Sequence, residues 1–197
     1  MNVVIITYDW PPRNTIAVHR PYSWAKYWSE AGINVTVLTS RKKSFDRPLD
    51  LQLPEIPITL VEVPYRPLFG LLESVFNLPT VRSTTKKIKG WFTAHSQIQI
   101  DPRSSWYKAA RSHALELAGS CDVVISTYGP AACHQLAAEM KKKNHSIKWI
   151  ADYRDAWSQS ERNIISENAR IVMREVEIST VGAWADSITA VSQDMVA

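Results

Sequence analysis

The stretch Asp122-Val123-Val124-Ile125-Ser126-Thr127-Tyr128-Gly129-Pro130, running on into a helical stretch over residues 131–143, decides the fold. Its first six residues are β-branched or apolar almost without interruption, the pattern of a strand covered on both faces. The helix that follows closes in Lys141-Lys142-Lys143, cations that complement the negative end of a helix. Working outward, the same kind of strand recurs upstream at residues 3–7, 34–39 and 59–63, and downstream at 148–151 and 187–191. Helical patterns separate most of them. Residues 20–31 carry Pro21 in the first turn, Trp24, Trp28 and Ala31 on one face, and Gly32 as a stop. Residues 164–185 form a long helical stretch punctuated by Ile171, Val172, Ile178 and Trp184. Strand alternating with helix predicts a doubly wound, mostly parallel α/β sheet of the Rossmann-like kind, with right-handed crossovers.

Residues 66–117 are the irregular part, with helices expected around 68–76 and 105–117. So long a crossover between the third and fourth strands is expected where a doubly wound sheet reverses direction. No repeat or Gly/Ser linker divides the chain, so its 197 residues read as one domain.

Composition excludes several classes. With 45% hydrophobic and 21% charged residues the chain is globular, and no apolar run approaches the ~18 residues a membrane helix needs. Cys121 and Cys133 read as buried thiols of a reducing compartment. The N-terminus lacks a basic leader region, so the sequons at Asn34 and Asn144 read as chance matches and the expected location is cytoplasmic. The net charge of +4 is concentrated. Between Arg82 and Arg111, seven basic side chains face Asp101 alone, interleaved with Trp91, Phe92, Trp106 and Tyr107. Such a segment suits an anionic surface, a membrane leaflet or a phosphorylated ligand ahead of nucleic acid; the competing reading is a solvated helix face.

In an open α/β sheet, ligands bind beyond the carboxyl ends of the strands at the switch point, here between the first and fourth strands. Three polar, aromatic stretches fall there: Tyr8-Asp9-Trp10-Pro11-Pro12-Arg13 running towards His19-Arg20; Tyr128-Gly129-Pro130; and Asp152-Tyr153-Arg154-Asp155-Ala156-Trp157. Against each stands a plainer reading: Asp152 and Asp155 as caps of a turn, Pro11-Pro12 as a turn former, His19 and Arg20 as the solvated start of a helix, and His113 and His134 as ordinary helix residues. Cys133 has no adjacent base and is not expected to act as a nucleophile. No G-x-G-x-x-G, P-loop, G-x-S-x-G elbow or metal-ligand spacing is present.

Taken together, these segments resemble a family 4 (retaining) glycosyltransferase. Tyr8-Asp9-Trp10-Pro11-Pro12, then a helix ending Ala31-Gly32, then Val35-Thr36-Val37-Leu38-Thr39, is similar to the opening of that family. Trp149-Ile150-Ala151-Asp152-Tyr153-Arg154-Asp155-Ala156-Trp157 is similar to a stretch of members that build bacterial surface polysaccharide, and Ala185-Asp186-Ser187-Ile188-Thr189-Ala190-Val191-Ser192 to the close of their N-terminal half. The resemblance implies a GT-B architecture, two Rossmann-like domains across a cleft. The resemblance implies that the nucleotide-sugar is held, through a basic residue and an E-x7-E acidic pair, by a C-terminal domain distinct from the half that these segments match. The chain is therefore expected to be the N-terminal, acceptor-side half, inactive when isolated.

On this resemblance Arg154 and Asp155 are the candidate catalytic residues, orienting sugar hydroxyls, since an arginine cannot serve as a base. Asp9, Pro12, Arg13, Arg20, Tyr128, Gly129 and Tyr153 are the candidate substrate-binding residues. The loop after Pro12 lacks the family's Gly pair. Either Arg13 and Arg20 supply the positive charge instead, or that loop reads the acceptor. The nucleotide-sugar is a substrate, and neither cofactor nor metal is implied. The acceptor would be a saccharide, lipid-linked if residues 82–111 rest on an anionic leaflet. A GT-B-fold nucleotide-sugar epimerase and a stand-alone α/β binding module are the alternatives.

Overall fold

The computed structural model describes residues 1–66, 102–155, 157, 158 and 167–192. The expected helix at 68–76 and most of the basic aromatic segment, including Arg82, Trp91 and Phe92, lie outside the described residues. Strands β1 (Asn2–Ile6), β2 (Asn34–Ser40), β3 (Thr59–Val63), β4 (Val123–Thr127), β5 (Lys148–Tyr153) and β6 (Ser187–Ala190) form one sheet in the order β3-β2-β1-β4-β5-β6. Every pairing is parallel. The sheet is Rossmann-like, and it reverses between β1 and β4 as the strand pattern predicts.

Strand alternation sorts side chains into two cores. Val4, Ile6, Val124, Trp149, Ala151 and Tyr153 point to the face covered by helices α2 (Trp106–Leu117), α3 (Ala132–Lys143) and α4 (Glu167–Glu177). Val3, Ile5, Val35 and Val37 point to the opposite face, where α1 (Ile16–Glu30) packs Tyr22 and Ala25 against them. The inner strands are buried on both sides, which is why they read as unbroken apolar runs. The edge strands are not: Leu60 of β3 is 47% exposed and Ile188 of β6 57% exposed.

Three boundaries differ from expectation, each for a physical reason. Helix α1 begins at Ile16, which leaves Pro21 inside it and puts His19 and Arg20 beyond its first turn. Pro21 has no N–H, so the Ala17 carbonyl loses its usual helical partner. Arg154 Nη1 donates to that carbonyl at 3.3 Å instead. Strand β5 extends through Asp152 and Tyr153, because Asp152 pairs with Thr127 on one side and Thr189 on the other. The long C-terminal helix breaks into α4 and a π-helical turn, Ile178–Gly182, which carries Val181 into the core. The Lys run at the end of α3 serves tertiary contacts rather than the helix end alone. Lys141 Nζ bonds the Ile147 carbonyl at 2.6 Å and Asp186 at 2.8 Å, and Lys143 bonds the Leu115 carbonyl.

Candidate functional site

The sheet reversal places the loops after β1, β4 and β5 side by side, and one side chain ties them together. Arg154 Nη2 donates to Asp9 Oδ2 at 3.0 Å and to the Tyr128 carbonyl at 3.2 Å, while its Nη1 reaches Ala17 in α1. Asp9 is almost wholly buried, at 3% exposed, and its other oxygen accepts from Arg13 Nη1. One carboxylate thus bridges two guanidiniums, a charge-assisted arrangement that holds both in fixed orientation. One N–H of Arg154 Nη1 has no partner assigned by these contacts, and Asp155 lies 3.7 Å from Nε with half its side chain exposed.

Gly129 makes this geometry possible. Its φ of +111° is unfavourable for any residue with a side chain, and a Cβ there would stand 2.7 Å from Arg154 Nη2. Tyr128 precedes it with its ring stacked on Tyr153, centroids 6.2 Å apart and planes within 8° of parallel. Trp157 lies 5.8 Å from the Tyr128 ring.

The candidate residues therefore fall into groups. Asp9, Arg13, Arg154 and the backbone of Tyr128 and Gly129 come together, with Asp155 at the rim. Pro12 is exposed, and its carbonyl accepts from Leu51 N at 3.0 Å, so it anchors the loop. Arg20 belongs to a different ion pair, donating to Asp152 Oδ1 at 2.7 Å beside Thr189 Oγ1 at 2.8 Å, with its guanidinium over Trp24. Asp152 is a fully buried strand residue rather than a turn cap. The Tyr153 side chain goes into the core beneath α3, where burial and Glu177 push its phenol far above its ordinary value.

His134 is core as well. Ser126 Oγ accepts from Trp149 Nε1 at 2.8 Å and shares a hydrogen bond with His134 Nδ1 at 2.7 Å. Burial lowers the imidazole pKa to about 3, which leaves it neutral. Cys133 is fully buried and its thiol is pushed up to about 12, so it is inert as a nucleophile.

Lys42 escaped the sequence reading, and Tyr8, part of the first strand-end stretch, turns out to be a buried anchor. Lys42, just beyond β2, reaches the Tyr8 carbonyl at 2.6 Å, the Ser40 carbonyl at 2.8 Å and Thr39 Oγ1 at 3.1 Å; burial lowers its pKa to about 8. Tyr8 is fully buried, donates to both oxygens of Asp46 and bonds the Tyr65 hydroxyl at 2.7 Å. The signal was available: Arg41-Lys42-Lys43 follows a strand at the same carboxyl edge as the other loops.

Among the described residues no helix is long and apolar enough to cross a membrane, and no cluster of His, Cys, Asp and Glu could hold a metal ion. No family model and no curated protein matches the chain. Among solved structures, the chain is similar to a hydrogen sulfide-producing enzyme from Fusobacterium nucleatum, at 12% identity and a TM-score of 0.32. That match covers 98% of this chain and 62% of the other, so the chain spans less than two thirds of that neighbour's length.

Proposed function

We propose that this chain is the acceptor-side domain of a retaining glycosyltransferase, acting at the cytoplasmic side on a saccharide acceptor with a nucleotide-sugar donor held by a second domain. The observation that carries the reading is the convergence of three strand-end loops on Arg154, whose guanidinium joins Asp9, Tyr128 and Ala17. That convergence sits in the I-A-D-Y-R-D stretch on which the resemblance rests. Arg154 stays charged and donates only, so its role is to orient acceptor hydroxyls rather than to take a proton. Asp155, exposed beside it, accepts from such hydroxyls. Rate enhancement by such a rim comes from positioning, and from donors fixed before the substrate arrives.

The test is transfer of radiolabelled sugar from a panel of nucleotide-sugars by a polypeptide that carries this chain together with a nucleotide-sugar domain. The product should keep the anomeric configuration, and Arg154→Gln should reduce transfer at least about a hundredfold, the scale of losing an oriented transition-state contact. An inverted product, or full activity in the Arg154 variant, contradicts the proposal.

A further inference from the structure

We infer that Arg20, Asp152 and Thr189 form a second subsite beside Arg154, one that takes adjacent hydroxyls of a neutral hexopyranose ring. Asp152 lies near the end of β5, with Thr127 in register on one side and Thr189 on the other. Its Oδ1 accepts from Arg20 Nη2 of α1 at 2.7 Å and from Thr189 Oγ1 at 2.8 Å. A guanidinium and a carboxylate can close two parallel bonds, yet this pair closes one. Among the described residues, Arg20 Nε and Asp152 Oδ2 are both buried without a hydrogen-bond partner. One ion pair thus keeps an open donor and an open acceptor, an arrangement that costs stability until a ligand fills both. The Asp152 side chain is only 1% exposed, whereas that of Arg20 is 37% exposed and Thr189 stands open on the edge strand. Approach is therefore from the side of Arg20 and Thr189.

Charge decides the class of ligand. Along this edge Arg13, Arg20 and Arg154 are matched by Asp9, Asp152 and Asp155, so no surplus calls for an ion. A hydroxyl group both donates and accepts, and two adjacent ones can give to Asp152 Oδ2 and take from Arg20 Nε. Arg20 spends one of its five N–H groups on Asp152 and lays its guanidinium over Trp24, which fixes the orientation of the rest. Thr189 Oγ1 has its proton committed to Asp152 and keeps lone pairs for a further hydroxyl. Spacing fits as well. Asp152 and Arg154 are two positions apart, about 7 Å along an extended chain. Ala17, whose carbonyl holds Arg154, lies one turn of α1 before Arg20, about 5 Å along the axis. The two arginines can therefore grip opposite sides of a single sugar ring.

Reading this ring as part of the acceptor rests on the glycosyltransferase proposal; the subsite itself does not. Nuclear magnetic resonance titration of the 197-residue chain with the methyl α-glycosides of glucose, galactose and mannose tests it directly. At least one glycoside should shift the Arg20 Nε resonance and the Thr189 amide saturably, while 2-methoxytetrahydropyran, the same ring without hydroxyls, moves neither. Arg20→Lys keeps a cation against Asp152 but lacks the guanidinium fork, and should weaken binding at least about tenfold. Arg111→Lys, at an exposed arginine paired with Glu139, should leave affinity unchanged, with the backbone amide spectrum confirming that each variant folds. An Arg20 Nε resonance that no glycoside moves marks a bound water only and overturns the inference. Equal shifts from the hydroxyl-free ring, affinity within twofold in Arg20→Lys, or equal weakening by Arg111→Lys overturns it too. Shifts at Arg154 with Arg20 unmoved refute this subsite alone, whereas glycoside bound at Arg20 beside an inverted transfer product refutes the retaining glycosyltransferase reading alone.

Discussion

Replacing Gly129 by alanine is expected to injure stability and site together. The backbone at φ +111° strains any residue with a Cβ, at about 1–3 kcal/mol. The new methyl would also start 2.7 Å from Arg154 Nη2, well inside ordinary contact. The guanidinium can retreat, but only by stretching its bonds to the Tyr128 carbonyl at 3.2 Å and Asp9 at 3.0 Å. Weakening bonds of this charge-assisted kind adds about 1–2 kcal/mol. The total, about 2–5 kcal/mol, lowers the urea midpoint by about 1–2.5 M for a slope near 2 kcal/mol per M. The informative assay is a double-mutant cycle by urea unfolding with Arg154→Ala. Without the guanidinium, only the backbone part of the Gly129→Ala cost should remain, so the two substitutions couple by about 1–2 kcal/mol. Additive costs, or a Gly129→Ala change below about 0.5 kcal/mol, would refute the claim that Gly129 makes room for Arg154.

Three further outcomes follow from the same contacts. His134 has its pKa lowered to about 3 by burial, so the unfolded chain protonates first. Its contribution is complete above the unfolded value of about 6.5 and falls by about 1.4 kcal/mol per pH unit below it. Urea unfolding at pH 7 and 5 should show about 2 kcal/mol more acid sensitivity in the wild type than in His134→Gln, and equal sensitivity contradicts the buried neutral imidazole. Pro21→Ala returns an N–H to the Ala17 carbonyl and puts it in competition with Arg154. The Arg154 Nε resonance should shift while stability changes by no more than about 1 kcal/mol, and an unmoved resonance contradicts the role given to that carbonyl. Asp9→Asn leaves Arg13 and Arg154 facing each other and should cost about 3–5 kcal/mol by urea unfolding; a cost under about 1 kcal/mol argues against the bridge.

The inner strands were legible because burial on both faces writes an unbroken apolar run, and the reversal at β1 and β4 followed from strand order and the long crossover. The convergence of Asp9, Gly129 and Arg154 was legible for the same reason, since strand ends share an edge. What escaped depends on partners remote in the chain. Asp152 reads locally as a cap, yet its partner Arg20 is 132 positions away. Pro21 reads as a helix start because nothing nearby reveals that Arg154 takes over the carbonyl it frees. Tyr153 looks available on the page of sequence, but the pleat turns it into the core while Asp152 takes the other face. Lys42 lies in a short basic triplet at a strand end, less conspicuous in the sequence than the denser run of charge downstream, although strand-end position is the stronger signal for a site.

The most direct examination of the proposed saccharide-binding role of this rim is a nuclear magnetic resonance titration of the isotope-labelled chain with a panel of oligosaccharide fragments. Saturable shifts should gather at the amides of Asp9, Gly129 and Asp155 and at the Arg154 side chain, and vanish in Arg154→Gln. Shifts confined to the far end of the sheet, or persisting undiminished without that guanidinium, would contradict the assignment.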